Sequence, residues 1–293
     1  MENDYIKECY DSNPNIKVHY SHGFRGVGAS LPFLHYDENL IVEYYKKGES
    51  SIRIEGNLYD IAEGDIIILN PDEMHVSERK ENCYMEKIVL HINNGLLLLF
   101  GGERSVFFET ISKKPKGKGN LIPADMAKKL CIVEKIESCL ALSKENSPES
   151  EVLLACKTVE ILSIIASLSK NEESIKREPD SSNKTVNKIM DYINRHYTEE
   201  VTLDALANRF HFSKYYIVHL FKECVGISPY DYLIVRRLYG CNNLIRSGCS
   251  VKEASFAVGF SNYSNFYRLY KKYFKITPQE FKEQIKHCVL PEQ

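Results

Sequence analysis

Two stretches of the chain share one pattern, with starting points about 50 residues apart: TLDALANRF, HF, SKYYIVHLFKECVGISP, and then SVKEASFAVGF, SNYSNFYRLYKKYFKITP. Each reads as a short helix with a small residue near its middle (Ala207, Ala254), a tight turn, and a second helix. The small residue lets two helix backbones approach closely, as a helix-turn-helix requires. Each second helix closes on Phe221 or Tyr270, a basic cluster and a Ser-Pro or Thr-Pro stop. Residues that cap helix starts precede the apolar runs: Thr202, Ser213, Ser228 before Pro229, Ser250 with Glu253, Ser261, and Thr277 with Glu280. A further amphipathic helix is expected from about Val186 to Tyr197. The last third of the chain is therefore all helix.

Ahead of it, Lys170 to Thr185 (KNEESIKREPDSSNKT) is polar, holds Pro179 and has little apolar periodicity, so it reads as a linker. Formal charge changes sign at the same place. Residues 1–183 carry 22 basic and 30 acidic side chains, a balance of −8, whereas 184–293 carry 16 and 10, a balance of +6. With 293 residues in total, two domains are expected.

Between Leu40 and Ile92, short apolar runs (LIVEYY, SIRI, LYDI, IIIL) alternate with turn signals (KKGES, EGN, AEGD, NPDE), describing a small antiparallel barrel or sandwich. From Pro123 the spacing becomes helical. Met126, Leu130, Val133, Ile136 and Leu140 form one apolar stripe, and Ser147-Pro148 opens a second helix to about Ser169. That second helix, VLLACKTVEILSIIASL, is apolar on more than one face, and a second copy of the chain or the strand domain could cover the excess. The fold class is thus α+β, with an N-terminal antiparallel β-barrel and trailing helices, then an all-α domain of two helix-turn-helix motifs joined by a long helix. The expected bounds are 1–122 for the strand domain, 123–170 for a helical dimerisation segment, 171–185 for the linker and 186–293 for the rear domain.

Several classes are excluded. The start, MENDYIKECYD, has acids where a secretory signal would have Lys or Arg, so a cytoplasmic protein is expected. Neither GLLLLF nor Val152 to Leu168 reads as a membrane span: the first is short and the second holds Lys157 and Glu160. Nine cysteines without a CxxC pair or zinc spacing read as reduced thiols.

The pattern ALANRF, FSKYYIVHLFKECVGISPYDYLIVRRL, LIRSG, VKEASFAVGFSNYSNFYRLYKKYFKITPQEFK resembles the DNA-binding domain of the AraC/XylS family of bacterial transcription regulators. Two positions depart from that family: His211 stands where a turn Gly is usual, and Lys275 replaces a common Gly after Phe274, whereas Gly259 is retained. The helix from Ser228 to Arg246 spans roughly 28 Å at about 1.5 Å per residue. Successive major-groove faces lie about 34 Å apart, so it can hold two recognition helices on one side of a duplex. Tyr232, Leu233, Val235, Leu238 and Leu244 are available to pack it on either hairpin.

The resemblance assigns base reading to Tyr215, Val218 and His219 in the first unit and to Ser264, Asn265 and Arg268 in the second. Chemistry ranks them: Arg268 suits guanine O6 and N7, Asn265 suits adenine, and Val218 a thymine methyl. Lys214, Lys222, Lys271 and Lys272 are expected on phosphates. Ile217, Leu220, Phe221, Phe266 and Leu269 are expected in the core.

Gly48 to His75 resembles the cupin-type sensor domain found in many members of that family. Enzymatic cupins hold a metal with a His-x-His pair, a Glu and a later His. Here the pair reads His35-Tyr36-Asp37 and Ile41 stands in the Glu slot, so neither a metal, another cofactor nor a catalytic residue is expected. His35, Tyr44, His75 and His91 are the candidate lining of an effector pocket. The expected partners are double-stranded promoter DNA, a small-molecule effector with sugars as one candidate class, a second copy of the chain and RNA polymerase, with no membrane. Two alternatives stay open at this level: a metal-dependent cupin isomerase or dioxygenase with a helical appendage, and a protein-binding adaptor.

Overall fold

The computed structural model describes residues 6–24, 37, 39–71, 73–78, 83–93, 95–96, 115–145, 147–169 and 184–288. His35, residues 97–114 and most of the linker lie outside them. The chain divides into two units, Met1–Ser182 and Asn183–Gln293.

The front unit is built on two antiparallel sheets. One has six strands in the order β1 (Ile6–Asn13), β2 (Ile16–Phe24), β8 (Tyr84–Ile92), β3 (Leu40–Lys47), β6 (Ile66–Leu69), β9 (Leu121–Ile122). The other has three, in the order β5 (Asn57–Ile61), β4 (Ser50–Ile54), β7 (His75–Glu78). Strand β3 explains the arrangement. Its first six residues, LIVEYY, are all buried, because alternate side chains of a strand enter opposite layers. Leu40, Val42 and Tyr44 join a core with Ile88, Leu90 and the helices, while Ile41 and Tyr45 join a second core with Ile52, Ile54, Tyr59 and Ile61 of the small sheet.

The expected barrel is thus corrected to an open pair of packed sheets. Among the described residues no ladder joins the two. The small sheet's strands have four or five residues against eight or nine in β2, β3 and β8, so side-chain packing rather than hydrogen bonding couples the layers.

Three helices cover the outer face of the large sheet: α1 (Ala124–Lys129), α2 (Ile132–Glu145) and α3 (Pro148–Ser169). The expected continuous stripe from Met126 to Leu140 is interrupted, because Cys131 takes a left-handed φ of 52° between α1 and α2. After that change of direction the fully buried residues are Ile132, Ile136 and Cys139, with Val133 and Leu140 at their margin. Ser147 caps α3 by accepting the Ser150 backbone N–H at 3.1 Å. Helix α3 buries Leu154, Ile161, Leu162, Ile165 and Leu168 and exposes Val152, Leu153 and Cys156.

The rear unit contains α4 (Lys184–His196), α5 (Leu203–Phe210), α6 (Lys214–Val225), α7 (Pro229–Arg246), α8 (Val251–Ala257), α9 (Tyr263–Phe274) and α10 (Pro278–Cys288). Thr202, Ser213, Ser228 and Ser250 cap α5, α6, α7 and α8 through their side-chain oxygens. Thr277 and Glu280 exchange hydrogen bonds at the start of α10. Asn262, rather than the expected Ser261, caps α9 by accepting the Asn265 N–H at 2.9 Å. The second unit has one more residue between turn and helix, and that residue places the amide side chain at the cap. Close approach through a small residue holds for the fully buried Ala254; Ala207 is only half-buried.

Helix α7 carries side chains into both hairpins. Tyr232 meets Phe221 of α6 edge-on at 5.5 Å. Ile234, Leu238, Cys241 and Ile245 pack with Ala254, Phe260, Phe266 and Tyr270 of the second hairpin. The spacing of that second set, four, three and four, is one face of a helix.

Candidate nucleic-acid interface

In each hairpin the second helix buries one face and presents the other. Ile217, Phe221 and Val225 anchor α6, and Phe266 and Tyr270 anchor α9, with Leu220 and Leu269 half-buried at their edges. On the opposite side of α6, Tyr215, Val218, His219 and Lys222 follow one another at helical spacing, as Ser264, Arg268 and Lys271 do on α9. Tyr215 is 82% exposed, and its ring lies parallel to that of His219 with centroids 6.1 Å apart. Val218 is half-buried; Ser264, Arg268, Lys271 and Lys272 are exposed, and Asn265 is half-buried. Lys214 pairs with Asp204 of α5 at 2.6 Å, so this cation ties the two helices of the first hairpin together.

Counting back from Pro229 and Pro278, Ile217 corresponds to Phe266, Tyr216 to Asn265, His219 to Arg268 and Lys222 to Lys271. The same register sets Tyr267 against Val218, a candidate that sequence reasoning passed over. Tyr267 is 38% exposed, and the three-residue step from Ser264 was the signal that would have found it. Two polar side chains of α9 are joined: the Arg268 guanidinium donates from Nη2 to Asn265 Oδ1 at 3.0 Å.

Arg237 was also missed. Projecting from α7, it donates from Nε to the Tyr197 carbonyl and from Nη2 to the Glu199 carbonyl, both at 2.7 Å, and its guanidinium lies 5.8 Å from the Phe260 ring centroid. The connector is thereby fastened to the segment after α4 and to the turn of the second hairpin. The pair Arg236-Arg237 inside the run LIVRRLY was the available signal.

In the front unit, His75 is 4% exposed, with Nδ1 3.0 Å from the Glu73 carbonyl. His91 Nδ1 lies 3.7 Å from Asp37 Oδ2, and the His91 ring is 4.5 Å from that of His19. Burial, then the neighbouring His91, hold His19 down at about 4. Tyr44 is not brought to these groups: its side chain belongs to the core beneath the helices, whereas Glu43 and Tyr45, its strand neighbours, lie on the other side.

A buried carboxylate that the sequence reading did not single out lies on that inner side. Glu43 accepts from the Tyr45 hydroxyl at 2.7 Å and pairs with Lys87 at 3.0 Å. Burial alone would raise its carboxyl, but Lys87, the Tyr45 hydroxyl and His75 bring it down to about 2. The signal was a single acid inside a wholly apolar strand. Among the described residues no group of three or more His, Cys, Asp or Glu is arranged to hold a metal ion, and no helix is long and apolar enough to cross a membrane.

Residues 206–284 match the family model described as a helix-turn-helix domain, from within α5 through the second hairpin and into α10. Over 258 residues the chain is 22% identical to the HTH-type transcriptional activator RhaS of Escherichia coli O6:H1 (strain CFT073), covering 87% of this chain and 88% of that protein. Among solved structures, a probable AraC family transcriptional regulator from Rhodopseudomonas palustris CGA009 is 25% identical with a TM-score of 0.34, covering 35% of this chain and 98% of its own. ToxT from Vibrio cholerae O395 is 13% identical with a TM-score of 0.40, covering 96% and 98%. The two capped helix-turn-helix units on one connecting helix are thus the matched helix-turn-helix domain of a chain similar along most of its length to a transcriptional activator, the AraC-type pattern that the sequence resembles.

Proposed function

We propose that the rear unit reads promoter DNA through two recognition helices, α6 and α9, and that the front unit controls this reading in response to a small-molecule effector. Tyr215, Val218 and His219 face bases in one major-groove segment, and Ser264, Arg268 and Tyr267 in the next, with Asn265 bonded beside Arg268. Lys222, Lys271 and Lys272 neutralise phosphates, and Lys214 does so after exchanging Asp204 for the duplex. The observation that carries this reading is the pair of exposed polar stripes on helices whose opposite faces are locked into cores shared with α7. The +6 balance of residues 184–293 supplies the attraction to a polyanion.

The effector site we propose is the inner side of the sandwich, where Asp37, Glu43, His75, Lys87 and His91 gather within two apolar sheets. Hydroxyl-rich ligands such as sugars suit that mixture of donors and acceptors. Coupling requires that the ligand favour one arrangement of the chain over another. A second copy joins through the exposed apolar start of α3.

RhaS is named an activator, and we propose activation here too, by contact with RNA polymerase. A cleft of about 250 Å³ on α4 and α5, where Lys188, Arg195 and Arg209 outnumber the single acid Asp191 beside Tyr192, suits an acidic protein surface. Arg209 lies over the Tyr192 ring at 4.5 Å, and such Arg and Tyr side chains dominate interface energetics.

The experiment is a gel-shift titration of the full chain on its selected DNA sites. Arg268→Ala is expected to lose roughly 1 to 3 kcal/mol of specific binding with an unchanged melting temperature. Undiminished specific binding would remove Arg268 from the reading surface, and a full chain that selects no DNA site at all would return the protein to the adaptor reading.

A further inference from the structure

We infer that Asn265 is a positioning residue for Arg268 and does not itself read adenine, so that α9 selects guanine through one joined pair of side chains. This rests on the reading of α9 as a recognition helix.

The sequence alone treats the two residues separately, giving guanine to Arg268 and adenine to Asn265. Reading adenine requires the Asn amide to accept from N6 through Oδ1 while it donates to N7 through Nδ2. In the structure Oδ1 is engaged by Arg268 Nη2 at 3.0 Å. A guanidinium only donates, so the oxygen, and not the amide nitrogen, must be the atom facing it. The amide of Asn265 is therefore turned along the helix toward Arg268. Oδ1 keeps its second lone pair, but with the amide plane turned to the guanidinium the Oδ1 and Nδ2 atoms no longer project together toward one adenine edge.

The backbone beneath this pair is fixed. Asn262 accepts the Asn265 N–H at 2.9 Å, and the next residue, Phe266, is fully buried. Asn265 consequently sits in a capped first turn, with its Cα held at a set distance from Arg268 one turn later. Among the described residues no carboxylate pairs with Arg268. The guanidinium has five N–H donors and spends one on Asn265, leaving a free edge for the O6 and N7 acceptors of guanine. Holding a long, exposed side chain in one orientation before binding reduces the rotamer freedom lost in the complex.

The first hairpin lacks the device. Tyr216 and His219 occupy the corresponding positions, and His219 lies against Tyr215 instead. The two halves of the operator are consequently read by different chemistry, and the site is not a repeat of one element.

The test is selection of bound sequences from a randomised duplex pool by the full chain, run in parallel with Arg268→Ala, Asn265→Ala, Asn265→Asp and the Asn265→Ala/Arg268→Ala double variant. The wild type should show a guanine preference that Arg268→Ala reduces about tenfold or more. Asn265→Ala should weaken the preference at that same base pair about threefold and relax no other. Asn265→Asp keeps the acceptor and should restore it, which a merely structural role would not predict. The double variant should match Arg268→Ala alone.

Loss of an adenine preference at a separate base pair in Asn265→Ala would overturn the inference while leaving α9 as a reader. An unchanged profile in Asn265→Ala would also overturn it. A selected motif that Arg268→Ala leaves intact would instead overturn the reading of α9, and the inference with it.

Discussion

His211 and Gly259 stand at the same point of the two hairpins, the residue that turns the chain out of the first helix, and both adopt positive φ, 58° and 95°. The recognition helices end with the assignments reversed: Gly226 closes α6 at φ 83° and Lys275 closes α9 at φ 63°. Both departures from the family's usual glycines are thus left-handed positions filled by a residue with a Cβ, and each is strained by about 1 kcal/mol or more. His211→Gly and Lys275→Gly should each raise unfolding free energy by about 0.5 kcal/mol, the strain relief being partly offset by the freer unfolded chain. Gly259→Ala should do the opposite and cost more than Gly226→Ala. A Cβ at 259 would meet the Thr198 carbonyl oxygen at 2.7 Å, whereas nothing lies within 4 Å of one at 226. Urea denaturation of the four variants orders them, and equal losses at 226 and 259 would contradict the steric argument.

Arg237 supplies the restraint that keeps the connector in place. Replacing it with Met preserves much of the buried stem but leaves the Tyr197 and Glu199 carbonyls without their charged donor, at a cost of about 2 kcal/mol. Arg237→Lys should recover only part, because one ammonium cannot reproduce the two-pronged contact. Denaturant titration gives the energies. DNA affinity should fall in step with them even though Arg237 lies on neither reading stripe.

These cases show which parts of the molecule could be read locally. Thr202, Ser213, Ser228 and Ser250 each sit within three residues of the amide they cap, so sequence spacing found every one. Asn262 was displaced by Ser261 because both are competent caps, and only the packing of Phe266 and Tyr270 decides the phase. In the front unit, LIVEYY is buried on both faces and has no period to read. Tyr44 was consequently assigned to the ligand side, and Glu43, one residue earlier, was passed over. The split into two sheets depends on pairings between distant segments, such as His75 with Ile54, which no short pattern records.

Acid should weaken the front unit in two separate windows. His19 has a free value of 6.5 and is held near 4 when folded, so the unfolded chain binds more protons between those limits. Its contribution is complete above pH 6.5 and is lost as the pH falls to about 4. Glu43, lowered from 4.5 to about 2, contributes fully above pH 4.5 and loses that contribution between there and about pH 2. Melting temperatures followed from pH 7 to 2.5 should therefore decline in two stages. His19→Gln should flatten the upper stage alone, and a variant that retains the full slope between pH 6.5 and 4 would assign that stage to another group.

The start of α3 offers a surface whose removal should not harm the fold. Val152 is 63% exposed and Leu153 51%, and Cys156 is exposed one turn on. The core-facing residues Leu154, Thr158 and Ile161 belong to the other side. A double substitution, Val152→Glu with Leu153→Glu, places two like charges from each copy, four in all, in any twofold contact through this face. Surface changes of this kind cost within about 0.5 kcal/mol of folding stability. Sedimentation equilibrium of the full chain should then show a dimer for the wild type and a monomer for the double variant, with melting temperatures within a degree or two. A variant that remains dimeric would remove α3 from the interface, and a monomeric wild type across the micromolar range would remove the dimer itself.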